Sequence, residues 1–289
     1  MIFIGDYVVD RYLEVGHDFS GGVTQNTLLA FCHATSSSAI EAWALGRVGD
    51  DLFGRSIIRS LSKIGTQTQG LVTVQGQTPV FEILRDSMGE RSFRLAESGC
   101  FPVEKSDAVT DLEHFLKTFP NRLHSELCFF PTYPNVEAYL QAALEVHAFQ
   151  QAQWVVDLSD EPILERWDGA MIREVASRTR FIFRSIENTN SESEKELRAQ
   201  FFAAQPSLEW VNLRGKEGVQ IWSQGGFCEI SAPQVSQVLD TNGAGDAFAG
   251  TYLAHRLQQG ASPEKAAVYA TEVAQKAIMQ LGALFALKF

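Results

Sequence analysis

Hydrophobic positions along this chain recur with two periods. Short apolar runs at Met1-Ile2-Phe3-Ile4, Ala39–Leu45, Leu127–Phe130, Trp154–Asp157, Phe181–Phe183 and Trp210–Leu213 read as strands buried on both faces. Between the later runs, stretches near 135–150, 161–177 and 191–204 carry helical spacing. Helices are also expected from Thr27–Phe31, up to about Lys63, and over Ala247–Gln258 and Pro263–Met279. Strands alternating with helices of this length predict an α/β fold built on a parallel sheet with right-handed crossovers.

One region breaks the pattern. From 68 to 96 the apolar residues Val72, Val74, Val80, Phe81, Ile83, Leu84 and Phe93 sit in short β-like runs broken by Gly76, Pro79 and Gly89. Together with about 11–20 they predict a small antiparallel sheet inserted into one domain spanning 1–289, placed to cover a ligand as a lid.

Composition narrows the partners. A net charge of −11 argues against nucleic acid, whose phosphates are met by clustered Lys and Arg. No apolar run approaches the roughly 20 residues that span a bilayer. The start, Met1-Ile2-Phe3-Ile4-Gly5-Asp6, lacks the basic flank of a secretory signal. Cys32, Cys100, Cys128 and Cys228 are far apart and read as structural thiols of a cytoplasmic protein. The six histidines form no metal-ligand spacing, so no transition-metal centre is expected.

The chemistry is concentrated in Asp240-Thr241-Asn242-Gly243-Ala244-Gly245-Asp246. Gln234–Leu239, alternating as on a strand end, leads into it, and a helix follows. Amides of Gly243, Ala244 and Gly245 at that helix N-terminus would form an anion cradle. Asp246 would repel a bound phosphate, which makes it a poor ligand but a sensible base for a hydroxyl attacking that phosphate. The competing structural reading is a helix whose first turn simply favours an acidic residue.

Two earlier segments offer hydroxyl partners. Asp6 and Asp10 follow the first strand, at the sheet edge where open α/β folds bind ligands. Asp6 is expected to be a solvated loop charge and Asp10 an acceptor of hydroxyl hydrogen bonds. Gly21 and Gly22 open the next helix, with Asn26 one turn in, able both to donate and to accept. Later, Arg214-Gly215-Lys216-Glu217-Gly218 is a turn between strands, with room for a nucleotide at Gly215 and Gly218 and a cation at Lys216.

Taken together these residues resemble the PfkB/ribokinase family of carbohydrate and nucleoside kinases over essentially the whole chain. The sequence Asp240–Asp246 fits the family's DTxGAGD signature, Gly21-Gly22…Asn26 its GGxxxN, and Gly46-Arg47-Val48-Gly49-Asp50-Asp51-Leu52-Phe53-Gly54 its GxxGxDxxG segment. The resemblance implies a doubly wound, mostly parallel sheet with helices on both faces and a small β lid. It implies transfer of the γ-phosphoryl of ATP to a sugar-like hydroxyl, with Asp246 as general base and the amides of Gly243, Ala244 and Gly245 as anion hole. Asp10, Gly21, Gly22 and Asn26 would hold the acceptor. Gly215, Lys216, Gly218, Asp240 and Thr241 would line the nucleotide site, with Mg2+ bridging phosphates. Many relatives also use K+ near the signature loop, and exposed lid edges in the family often pair into homodimers.

Within the family, Asp157-Leu158-Ser159-Asp160 is similar to the DFSD of fructosamine kinases, which favours a fructosamine or ketose acceptor. A nucleoside or small-polyol kinase is the alternative, and a non-catalytic sugar- or nucleotide-binding homologue a third. The third is motivated by two departures. The family's NxxE, which helps to organise Mg2+, is replaced by Arg184-Ser185-Ile186-Glu187, leaving Glu187 as the candidate metal-site residue. Leu213 stands where a Thr often precedes the nucleotide turn.

Overall fold

Strand and helix order in the computed structural model, which describes residues 1–35, 40–85, 91–120, 126–159, 161–186, 189–286 and 288–289, follows the expected alternation. The elements of the first part are β1 (Ile2–Asp6), β2 (Val8–Tyr12), β3 (His17–Gly21), α1 (Val23–Ala34), β4 (Trp43–Gly49), α2 (Leu52–Lys63), β5 (Gln67–Val74), β6 (Val80–Arg85) and β7 (Arg91–Glu97). Next come α3 (Lys105–Thr118), β8 (Leu127–Pro131), α4 (Glu137–Ala143), α5 (His147–Gln150), β9 (Gln153–Ser159), α6 (Ile163–Arg166), α7 (Gly169–Ala176), β10 (Thr179–Ser185) and α8 (Glu192–Ala204). The last are β11 (Glu209–Leu213), β12 (Val219–Ser223), β13 (Gly226–Ile230), α9 (Ala244–Gln258) and α10 (Pro263–Ala277). Two compact units contain them, Met1–Val103 with Pro233–Phe289, and Glu104–Ala232.

In the first unit β1 pairs in parallel with β4, and β4 with β5. Every residue of β1 is buried, as expected of a parallel strand covered on both faces. Helix α1 is buried over eight consecutive residues, Thr24–Phe31. A helix buried all round needs neighbours on every side; here they include β1, through Phe3 and Phe31 with ring centroids 5.4 Å apart, and α9. The second sheet of this unit has the order β3-β2-β6-β7. On one face Tyr12, Phe19 and Ile83 form a small core with Phe81, Leu281 and Ala286. The other face is charged, with Arg11 paired to Asp18 at 3.0 Å and Arg94 to Glu82.

In the second unit β8, β9, β10 and β11 are parallel neighbours in that order, and β12 and β13 continue the sheet antiparallel. Arg184 on β10 is buried. It bonds Glu194 of α8 at 2.5 Å and the carbonyls of Ser159 and Glu161 at 2.9 and 2.8 Å. A buried guanidinium is tolerated because each of these acceptors replaces lost water.

Several expectations need correction. Residues 67–74 form an edge strand of the parallel sheet, not part of the small sheet, since alternating valines suit either place. The small sheet is mixed: β2 pairs with β3, and β6 with β7, antiparallel, but β2 and β6 are parallel. Gln234–Leu239 has no regular structure, and Leu239 instead bonds the carbonyl of Ile278 at 2.8 Å. The strand expected over Ala39–Leu45 is β4, which starts at Trp43 and runs on through Gly46 and Arg47 to Gly49. The helical stretches near 135–150 and 161–177 are each two short helices.

Candidate active site

The signature stretch is a tight turn feeding a helix. Gly243 caps α9 with φ 72° and ψ 5°, a left-handed conformation that disfavours any Cβ. Space forbids one as well, because it would lie 2.6 Å from Cβ of Ala283. The first intrahelical bond runs from the Ala247 amide to the Gly243 carbonyl at 2.8 Å. Of the amides expected to form the anion cradle, that of Ala244 turns back to the Thr241 carbonyl at 3.4 Å, a long and weak bond. Those of Gly243 and Gly245 have no acceptor among the described residues. This dipole end therefore keeps the donors that a phosphate would use.

Asp246 is the third residue of α9 and is half-buried. Its partner comes from α1, where Asn26 donates Nδ2 to Asp246 Oδ2 at 3.0 Å. Asn26 is only 6% exposed, and its Oδ1 is buried without a partner among the described residues. An unsatisfied buried acceptor costs about 1–3 kcal/mol, so a hydroxyl donor from a ligand is favoured at this atom. The two helices can approach because of Gly250, where a Cβ would fall 2.2 Å from the Thr27 carbonyl.

The start of α1 is set by Asp6. It is buried, not a solvated loop charge, and accepts from the amides of Val23 and Thr24, both at 2.9 Å. Those amides are helix-terminal donors that would otherwise lack partners. Gly22, at φ 100°, and Gly21 make room for carboxylates: a Cβ on Gly22 would lie 2.5 Å from Asp6 Oδ2, and one on Gly21 2.3 Å from Asp10 Cγ. Asp10 itself is buried on β2 and accepts from Asn242 Nδ2 at 2.9 Å.

Asp240 is fully buried and satisfied, accepting from Tyr12 Oη at 2.5 Å and from the amides of Asn242 and Gly282 at 2.9 Å each. Thr241 follows it, half-buried, in the turn. Burial, and then the bond to Asp240, push the Tyr12 phenol well above its ordinary range, so it stays a donor. The GxxGxDxxG segment is also structural. Asp51 caps α2 by accepting from Gly54 N at 2.8 Å, and holds the Thr78 hydroxyl at 2.7 Å.

The structure thus brings Asp10, Gly21, Gly22, Asn26, Asp240, Thr241, Gly243, Ala244, Gly245 and Asp246 into one unit. Gly215, Lys216 and Gly218 belong to the other, in a 3-10 turn between β11 and β12. There a Cβ on Gly215 would meet nothing within 4 Å, whereas one on Gly218 would strike the Ile230 carbonyl at 2.0 Å. The first glycine is explained by its left-handed φ of 53° in an open turn, and the second by packing. Lys216 is exposed. Glu187 lies outside the described residues, and among those described no cluster of three His, Cys, Asp or Glu could hold a metal. No helix among them is long and apolar enough to cross a membrane. Reading the sequence missed Tyr12, Asn242 and Gly250 as parts of the site. Only Gly250, in a helix otherwise free of glycine after its first turn, carried a local signal.

A parallel sheet with helices, a small separate sheet and a glycine turn feeding a helix that carries Asp246 define a ribokinase-like α/β fold. The ribokinase of Giardia lamblia matches it with a TM-score of 0.73 at 18% identity, over 98% of this chain and 94% of that one. Aminoimidazole riboside kinase of Salmonella enterica, solved with aminoimidazole riboside and an ATP analogue, gives 0.71 at 18% identity over 98% and 94%. Residues 13–288 match the model of the pfkB family carbohydrate kinases, and the chain belongs to that family. It is similar to fructoselysine 6-kinase of Escherichia coli strain K12, 24% identical over 281 residues, 97% of each chain. It is accordingly a sugar kinase with a hydroxyl acceptor, of a family that uses ATP and Mg2+.

Proposed function

We propose that the acceptor is a ketose or fructosamine-type sugar derivative and that Asp246 is the base that activates its hydroxyl. The carrying observation is Asn26, which holds Asp246 with one side-chain atom and with the other presents a buried acceptor that has no partner among the described residues. A sugar that donates one hydroxyl to Asn26 Oδ1 brings a second, neighbouring hydroxyl against the Asp246 carboxylate. The proton of that second hydroxyl passes to Asp246 as its oxygen bonds to phosphorus and the bond to the departing ADP oxygen breaks. The Gly243 and Gly245 amides, at the positive end of α9, stabilise the charge that spreads over the transferred group. Mg2+, which this family uses, would supply further neutralisation of that charge when it enters with the nucleotide, since the described residues offer no metal cluster of their own. The cradle fits a phosphate because the signature turn leaves those amides without acceptors among the described residues.

In this reading Asp10 contributes to holding the sugar, and Gly215 and Lys216 to the nucleotide. K+ activation and pairing of two lids are carried over from the same family resemblance. Phe93 and Leu95, 51% and 38% exposed on the edge strand β7, support the pairing. The experiment is an ADP-release screen over fructoselysine, fructose, ribose and adenosine with Mg2+ and K+ present. Turnover favouring fructoselysine or fructose supports the assignment. A preference for adenosine moves it to a nucleoside kinase. ATP binding without acceptor-dependent ADP release on any of them would overturn it.

A further inference from the structure

Strand β2 and the signature turn share a buried polar cluster in which Asp10 is joined by Asn242 and Tyr12, two residues that the roles above leave unused. Asn242 fills the variable place of DTxGAGD, yet its side chain is 5% exposed and fully engaged as a donor. One Nδ2 hydrogen goes to Asp10 Oδ2 at 2.9 Å and the other to Tyr12 Oη at 3.1 Å. An amide nitrogen has two hydrogens, so both are spent. Tyr12 accepts from Asn242 and gives its own hydrogen to Asp240. The hydroxyl rotor is therefore fixed by a donor on one side and a carboxylate on the other.

The consequence falls on Asp10. A carboxylate rotates about a broad, weakly restricted terminal torsion, so its plane must be set by its neighbours. From one side the Cα of Gly21 lies so close that a Cβ would sit 2.3 Å from Asp10 Cγ. From another, Asn242 holds Oδ2. Because Asn242 lies four residues before Asp246, the same amide that sets the Asp10 plane also sets its distance from the turn that starts α9.

We propose that Asn242 and Tyr12 are positioning residues for the phosphoryl acceptor: they fix the Asp10 carboxylate and join strand β2 to the turn that carries Asp246. The proposal rests on the kinase reading above. A neutral amide is required between the buried Asp10 and Asp240. Aspartate at this place would set a third carboxylate against the other two, and an aliphatic side chain would leave Asp10 and Tyr12 each one donor short.

The test compares Asn242→Leu, Asn242→Asp and the milder Tyr12→Phe with wild type in the full chain. In ADP-coupled kinetics on the acceptor that wild type uses best from the panel above, Asn242→Leu should raise the acceptor KM at least tenfold. It should change kcat less than threefold and leave the ATP KM unaltered. Tyr12→Phe should show the same split more weakly, and Asn242→Asp more strongly. Equal losses through kcat with the acceptor KM unchanged would overturn the proposal, because a merely structural defect lowers the fraction of active enzyme and spares KM. Amide hydrogen exchange on ligand-free protein supplies a readout that needs no acceptor. Exchange should quicken at least tenfold in β2 and across 240–246 in Asn242→Leu while Glu104–Ala232 stays as in wild type. Unchanged exchange in β2 would also overturn the proposal. If wild type turns over nothing in the panel, the acceptor reading fails by itself and the exchange result still decides whether Asn242 joins β2 to the turn.

Discussion

Asn26 donates its side-chain amide to the Asp246 carboxylate at 3.0 Å across a sequence separation of 220 residues. The contact joins the first turn of α1 to the first turn of α9, and both turns have independent anchors. Asp6 holds the start of α1 through two amides, and the left-handed Gly243 fixes the start of α9. Asp246, the proposed base, is therefore positioned by two helix termini, each set by a local feature of the sequence. Asn26 Oδ1 remains for a hydroxyl beside that base.

Replacing Asn26 by Asp tests the electrostatics of this pair. Two carboxylates would then face each other where an amide now donates, and like charges favour protonation of one of them. The acid limb of the kcat/KM against pH profile should move to higher pH, with kcat at neutral pH falling by about tenfold or more. An unmoved limb would show that Asn26 does not sense the ionisation that controls the rate.

Gly250→Ala tests the helix contact without touching the chemistry. The added Cβ would lie 2.2 Å from the Thr27 carbonyl and 2.7 Å from Cβ of Ala30, so α1 and α9 must separate. Overpacking of this kind costs about 1–3 kcal/mol. Thermal unfolding should show a loss of a few degrees, and activity should fall because Asn26 and Asp246 move apart. An unchanged Tm would mean that the helices yield at no cost.

Asp51 gives a prediction in pH. Burial raises the affinity of its carboxyl for a proton, but bonds from the Gly54 amide and from the Thr78 hydroxyl and amide outweigh this and hold the pKa below its usual value. A lowered folded-state value means stability that is present above the ordinary carboxylate range and lost as pH falls through the lowered one. Asp51→Ala should cost about 1 kcal/mol at pH 7, as loss of a helix cap does. The Tm gap between variant and wild type should close below about pH 4, where the unfolded-state carboxyl also protonates. A gap that stays constant on acidification would contradict the cap.

What could be read from the sequence was what is local in it. Gly243 and Asp246 lie in one contiguous turn-plus-helix, and the strand and helix periods of the parallel sheet are carried by consecutive residues. The reading failed where a role depends on a distant partner. Asn242 occupies a permissive place in the signature, and its partner Asp10 is 232 residues away. Tyr12 reads as one more residue of a short strand until Asp240 is brought to it. Asp6 reads as a solvated loop charge because nothing nearby in the sequence shows that the amides of Val23 and Thr24 hold it. The valines of 67–74 fit a lid strand and an edge strand of the main sheet equally well, and only their pairing with β4 decides.

The central claim is that Asp246 removes the acceptor proton, and Asp246→Asn tests it most directly. The substitution keeps the shape of the side chain and removes its basicity. With Tm and ATP binding as in wild type, acceptor-dependent ADP release should fall by about 10²–10⁴-fold, the range for loss of a general base. Turnover within threefold of wild type in a folded, ATP-binding variant would contradict the account.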